Sequence, residues 1–144
     1  MYQLLRRGFV AALAPECVKN IDILISDADG ARLASLQVKT MGAPRPKWQM
    51  KDKHETIEND RLFYCFVRPC DEMMSDPQCW IIPSKVVAEH VRLSHHAWLD
   101  GKPLRGGTRN DGSGRSMHFE CEPLEMYAAG WMDEYLENWE SLLQ

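Results

Sequence analysis

The chain has no apolar run approaching the roughly 18 residues that a membrane-spanning helix requires, and no Lys or Arg anywhere in residues 116–144. Its five cysteines (Cys17, Cys65, Cys70, Cys79 and Cys121) form no Cys-x-x-Cys pair. The missing apolar run argues against a membrane protein. An odd number of scattered cysteines is expected to mean reduced thiols in a cytoplasmic protein rather than a disulfide framework. A zinc site drawn from Cys70, Cys79, His95 and His96 would have irregular spacing. The first residues, Met1-Tyr2-Gln3-Leu4-Leu5-Arg6-Arg7-Gly8, place their charges after the apolar residues and show no cleavage pattern, so they do not read as a signal peptide. There is no Gly-x-Ser-x-Gly and no zinc-protease helix. Gly106-Gly107-Thr108-Arg109 lacks the strand and the Gly-Lys-Ser/Thr of a nucleotide loop.

What is present suits one globular domain of 144 residues, 44% hydrophobic and 26% charged. The net charge of −4 disfavours nucleic acid until its distribution is considered. Residues 116–144 hold seven acids, leaving 17 basic and 14 acidic groups in the other 115 residues, a net of +3. Residues 30–51 carry Arg32, Lys39, Arg45, Lys47 and Lys51 and no acid. Such a run is either a face for a phosphate backbone or scattered solvated charge.

The richest stretch is Asn20-Ile21-Asp22-Ile23-Leu24-Ile25-Ser26, followed by a turn and Leu33-Ala34-Ser35-Leu36-Gln37-Val38-Lys39-Thr40. Asp27-Ala28-Asp29-Gly30 is turn chemistry, so residues 20–26 and 31–40 are expected to form an antiparallel hairpin. Side chains alternate along a strand, which sends Gln37 and Lys39 to one face and Val38 to the other. The hairpin can therefore gather a carboxylate, an amide and an ammonium. A carboxylate of this kind can hold Mg²⁺, while a lysine orients water or balances phosphate charge. Asp22 could equally be an edge-strand acid paired with Arg32 or Lys39.

Elsewhere the pattern predicts a helix end at the N-terminus and a strand at Phe9-Val10-Ala11-Ala12-Leu13. It predicts a loop through Pro44 and Pro46 and a short strand at Lys47-Trp48-Gln49-Met50. Leu62-Phe63-Tyr64-Cys65-Phe66-Val67 reads as a central strand, and Gln78-Cys79-Trp80-Ile81-Ile82 as its successor. A helix capped by Ser84 follows, with Val87, Val91, Ser94 and Trp98 on one stripe. His90, His95 and His96 are expected to pack rather than ligate. Residues 101–114 read as a mobile glycine-rich loop and residues 126–143 as a final helix. The apolar stripe of that helix would serve either the core or a homodimer interface. Trp48 would either close over the hairpin site or fasten its loop to the core.

The Asp22…Gln37-Val38-Lys39 hairpin resembles the active-site core of the PD-(D/E)xK, or restriction-endonuclease-like, superfamily. Five ordered segments are similar to a group of small uncharacterised bacterial proteins within it: residues 20–24, 37–40, 48–55, 63–67 and 82–88. The likeness spans residues 8–100. It implies an α/β (α+β) fold with about five strands in a mixed sheet flanked by helices. It further implies a nuclease that uses Mg²⁺ or Mn²⁺ to hydrolyse phosphodiester bonds of DNA. Asp22 would be a metal ligand, Gln37 a second ligand through its amide oxygen, and Lys39 the catalytic lysine. Glu55, in Lys53-His54-Glu55, would stand in for a further acid. Arg45, Lys47, Trp48 and Lys51 would contact nucleic acid. Glutamine replaces the commoner acid, which keeps a second expectation open: a non-catalytic module of the same fold that binds nucleic acid or a protein partner.

Overall fold

A strand without polar alternation, such as Leu62-Phe63-Tyr64-Cys65-Phe66, needs cover on both faces, and in a computed structural model of the chain it has it. The structure describes residues 1–42, 47–70, 75–103 and 106–144. A short helix α1 (Tyr2–Leu5) precedes β1 (Val10–Leu13), β2 (Ile23–Ser26), β3 (Leu33–Thr40), β4 (Lys47–Lys51), β5 (Leu62–Arg68) and β6 (Gln78–Pro83). Helix α2 (Ser84–Asp100) and β7 (Gly114–His118) follow. Five strands form one mixed sheet in the order β1-β2-β3-β5-β6, with β3 and β5 parallel and the other neighbours antiparallel. β4 and β7 make a separate antiparallel ribbon. The fold is thus α+β with a five-stranded mixed sheet, as expected.

The two faces have separate cores. Ile23, Ile25, Leu36, Phe63, Cys65 and Ile81 meet Leu4, Trp139, Leu142 and Leu143 on one side. On the other, Tyr64, Phe66, Trp80 and Ile82 meet Trp48, Met50 and Met117 of the ribbon and Val87 and Val91 of α2. The β2–β3 turn forms as its residues predict. Gly30 sits at φ 69°, and Asp27 Oδ1 accepts hydrogen bonds from the Ala31 and Arg32 amides at 2.8 and 3.2 Å.

Three expectations are corrected. Residues 126–143 do not form a continuous helix but three 3₁₀ turns, Glu125–Tyr127, Asp133–Tyr135 and Trp139–Leu143. Gly130 at φ 91° and Glu137 at φ 52° are left-handed, and an α-helix cannot run through them. The extended path has a use that a straight helix lacks. It places Met132 in one core and Trp139, Leu142 and Leu143 in the other, so the segment wraps the β6 edge and these four residues serve this chain's own interior. Glu137 fastens it there. Its amide donates to Cys79 O at 2.7 Å, and its carboxylate accepts from the Cys79 amide at 2.9 Å and from Trp139 Nε1 at 2.8 Å. Second, the expected glycine-rich loop ends in β7, whose Met117 is buried beside Trp48 in register. Third, Ser84 is the first helical residue rather than the cap, and its hydroxyl both accepts from the Asn59 amide and donates to Asn59 O at 2.8 Å.

Glu137→Ala removes three charge-assisted hydrogen bonds, from the Cys79 amide, Trp139 Nε1 and Arg7 Nη2, and frees the β6 edge. Urea unfolding is expected to show a loss of about 2 kcal/mol, with the midpoint falling and the slope unchanged.

Candidate active site

The hairpin delivers its three polar side chains to one end of β3. Asp22 lies at the bend just before β2, where its amide donates to Leu36 O at 2.9 Å and its Oδ2 accepts from the Val38 amide at 2.6 Å. These two bonds bracket Gln37 between an anchored backbone and an anchored carboxylate. Gln37 is in register with Tyr64 of β5, and Lys39 with Phe66. Both β3 side chains therefore lie on the face that β4 and the turn Asp52–Glu55 cover, opposite to Leu36 and Val38.

Cover on that face sets the electrostatics. Burial is the largest influence on the Lys39 ammonium and pulls its pKa below the usual 10.5, while the Asp22 carboxylate opposes that shift. Lys53 and Lys51 lower it further. Lys53 is itself tied down, its Nζ donating to Asn20 Oδ1 at 2.6 Å, and Asn20 holds a left-handed φ of 65° at the entry to the strand. Gln37 is only 6% exposed, and its Oε1 has no hydrogen-bond partner in the protein. A buried acceptor without a donor is rare in native interiors and calls for an explanation.

The other residues singled out from sequence fall in different places. Glu55 is committed to an ion pair with Arg115 of β7, whose side chain is 6% exposed, and it is not among the charges acting on Lys39. Trp48 is corrected from a surface contact to a core residue. It is 0% exposed, donates its Nε1 hydrogen to Val67 O at 3.0 Å, and packs against Phe66, Trp80 and Phe119 with centroids 5.0–5.6 Å apart. The alternation Lys47-Trp48-Gln49-Met50 carries this signal, since Trp48 and Met50 point in while Gln49 points out. Lys47 and Lys51 share the outward face, and Lys47, Gln49 and His118 help to line a cleft of about 480 Å³ that also meets His95 and Trp98 of α2. Arg45 lies outside the described residues. His90 is fully buried and stacked on Trp131, and burial lowers its pKa to about 3, so it is a neutral packing residue.

Among the described residues no group of three or more His, Cys, Asp and Glu side chains is placed to hold a metal ion, and no helix is long and apolar enough to cross a membrane. All five cysteines are free thiols. Two residues that sequence reading passed over stand close to the site. His54 (2% exposed) and Tyr64 (0%) lie edge-on with ring centroids 5.9 Å apart, and neither His54 Nε2 nor the Tyr64 hydroxyl has a partner.

No protein-family profile matches the chain, and no curated protein matches it in sequence. A solved structure of a bacterial homing endonuclease, I-Ssp6803I, is similar over 99% of this chain and 82% of its own, at 14% identity and a TM-score of 0.49. A likeness at that level says nothing of chemistry.

The depressed Lys39 pKa makes a signed prediction. The folded chain is penalised for holding this charge at every pH below the lowered pKa. The penalty fades as pH rises toward 10.5, where the unfolded lysine also loses its proton. Lys39→Met is therefore expected to raise the urea midpoint at pH 7, with the gain shrinking by pH 10. Urea titrations of both proteins at the two pH values check this.

Proposed function

We propose that the chain is a metal-dependent nuclease of the restriction-endonuclease-like kind, with Asp22, Gln37 and Lys39 as its site and DNA as its substrate. The observation that carries this reading is Gln37 Oε1, buried without a partner on β3 just beyond the anchored Asp22 carboxylate. An oxygen donor of that kind fits a hard divalent cation. Mg²⁺ keeps most of its waters and takes only one or two protein oxygens, so Asp22 and Gln37 would hold it without a third acid. Bound there, Mg²⁺ or Mn²⁺ would supply Lewis-acid polarisation of a phosphoryl oxygen and a more acidic water.

The chain's own residues account for the rest. Asp22 Oδ2 is fixed by the Val38 amide, so the carboxylate reaches the site with little rotamer freedom left to lose. Lys39, half-buried and held beside that acid, can donate hydrogen bonds to oxygen where negative charge develops during phosphodiester cleavage. Its partial desolvation strengthens that interaction. Lys51 and Lys53 add positive potential beside it, and Lys47 extends the outward row along β4. Such contacts gather a phosphate backbone without reading bases.

One observation favours a second reading. Glu55, the last residue of the covering turn, is taken by Arg115, so the cation would rest on one carboxylate and a neutral amide. A chain of this fold that binds nucleic acid without cutting it, or that binds a protein partner, would show the same charges.

Plasmid and single-stranded DNA incubated with Mg²⁺ or Mn²⁺ separate the two. Asp22→Ala and Lys39→Ala are each expected to lower kcat/KM by at least about 10²-fold while circular dichroism stays unchanged. Cutting that persists in both variants, or DNA binding without any cutting, removes the nuclease reading. In binding titrations, Lys47→Ala and Lys51→Ala are each expected to reduce the slope of log K against log salt by about 1, uniformly across sequences.

A further inference from the structure

We infer that His54 and Tyr64 are positioning residues for Gln37: a pair of buried donors that fixes its carboxamide once the site is engaged. The inference rests on the reading of Asp22, Gln37 and Lys39 given above. Its basis is three unpaired polar atoms on neighbouring residues, Gln37 Oε1, His54 Nε2 and the Tyr64 hydroxyl, each on a residue more than nine-tenths buried. Native interiors seldom leave one such atom, and here three belong to residues linked by strand register and ring contact. Tyr64 is the strand neighbour of Gln37 on the same face of the sheet, and the His54 ring stands edge-on to Tyr64.

The donors and the acceptor are complementary. His54 Nδ1 lies 3.0 Å from both the amide nitrogen and the carbonyl oxygen of Lys51, and in the tautomer that accepts from the amide the ring proton sits on Nε2. Burial is the largest influence on the ring and lowers its pKa; the Lys51 backbone contact opposes that shift, and the charges of Lys39 and Lys53 lower it further against Asp52. In that tautomer His54 carries an Nε2–H donor beside the Tyr64 O–H donor, and Tyr64 is the strand partner of Gln37, whose carboxamide oxygen has two lone pairs. One lone pair can meet a cation while the other accepts a hydrogen bond. Outer partners of this sort orient a ligand and raise its affinity for metal by about 10–100-fold.

Competing roles are concrete. His54 caps the Asp52–Glu55 turn through Nδ1, and the Tyr64 ring stacks on Phe66 at 5.8 Å. The variants therefore separate ring from donor. Tyr64→Phe keeps the ring and removes the hydroxyl. His54→Asn keeps an acceptor near the position of Nδ1 and removes the distal donor, whereas His54→Gln does the reverse.

The experiment is calorimetric titration with Mn²⁺, beside thermal unfolding of the metal-free proteins and kcat/KM on DNA. Tyr64→Phe and His54→Asn are expected to bind Mn²⁺ about 10–100-fold more weakly. Metal-free Tyr64→Phe is expected to melt about 3 °C above wild type, because it deletes a buried hydroxyl that has no partner. His54→Gln is expected to melt below wild type, yet to recover affinity relative to His54→Asn. Affinities of Tyr64→Phe and His54→Asn within about twofold of wild type, or losses that follow a fall in melting temperature, overturn the inference. Wild type that binds Mn²⁺ without cutting DNA overturns the nuclease reading and leaves the inference to be judged on affinity. Wild type that cuts while those two variants match it in both affinity and kcat/KM overturns the inference alone. Wild type that binds no Mn²⁺ overturns the inference together with metal dependence.

Discussion

Burial of both faces of β3 and β5 is the constraint on which the rest depends. A two-sided sheet needs two sets of covering elements, and the chain provides them asymmetrically. One face takes α1 and the last 3₁₀ turn, while the other takes the ribbon, the Asp52–Glu55 turn and α2. Any polar side chain on the central strands is then partly desolvated by default. Gln37 and Lys39 are two such groups, and they alternate with Leu36 and Val38 on a strand whose other face packs Ala34, Leu36 and Val38 against one core. Their placement works against stability, since a half-buried ammonium and an unpaired amide oxygen both oppose folding. Unfavourable burial next to an exposed carboxylate is the pattern expected of a functional site.

The C-terminal segment shows how the same constraint shapes the periphery. A single helix over residues 126–143 could cover one face of the sheet or the other. By turning at Gly130 and Glu137 the segment reaches both, and it lies against β6, bridging Leu136 to Trp80 on the way. That edge would otherwise offer unpaired backbone to a neighbouring molecule. Five of the seven acids of residues 116–144, Glu125, Asp133, Glu134, Glu137 and Glu140, therefore belong to the wrapping segment, whereas β3 and β4 carry Lys39, Lys47 and Lys51.

These features divide by how local their causes are. The β2–β3 hairpin was legible because a four-residue turn and strict alternation determine register within a dozen residues. β5 was legible because a long aromatic run admits few other homes. The 3.6-residue stripe in the tail was real but misleading. Of its residues Met132, Trp139, Leu142 and Leu143 are buried and Leu136 is exposed, while the backbone conformation is decided by two left-handed residues, one of them a glutamate with no local signal for it. Trp48 was ambiguous only while Lys47 and Lys51 were counted as a basic patch rather than as part of the outward half of a strand. The unpaired atoms of His54 and Tyr64 lay beyond any sequence argument, since lacking a partner is a property of the packed chain.

The glutamine at position 37 then has a physical logic. A carboxylate there would be 6% exposed, beside the Tyr64 ring, with Asp22 just across the hairpin. Desolvation and a like charge both favour the protonated form of such an acid, so in the absence of a cation it would be a poor ligand held at high cost. An amide oxygen carries its donor capacity without that charge. It needs no compensating ammonium beyond Lys39, which is left to balance Asp22. On the proposed reading, cation affinity would be limited by a single carboxylate, and tuning would fall to neutral groups around the amide. The donors near Gln37 would then matter more than further acids, and His54 Nε2 and the Tyr64 hydroxyl are among the buried atoms the fold leaves without a partner.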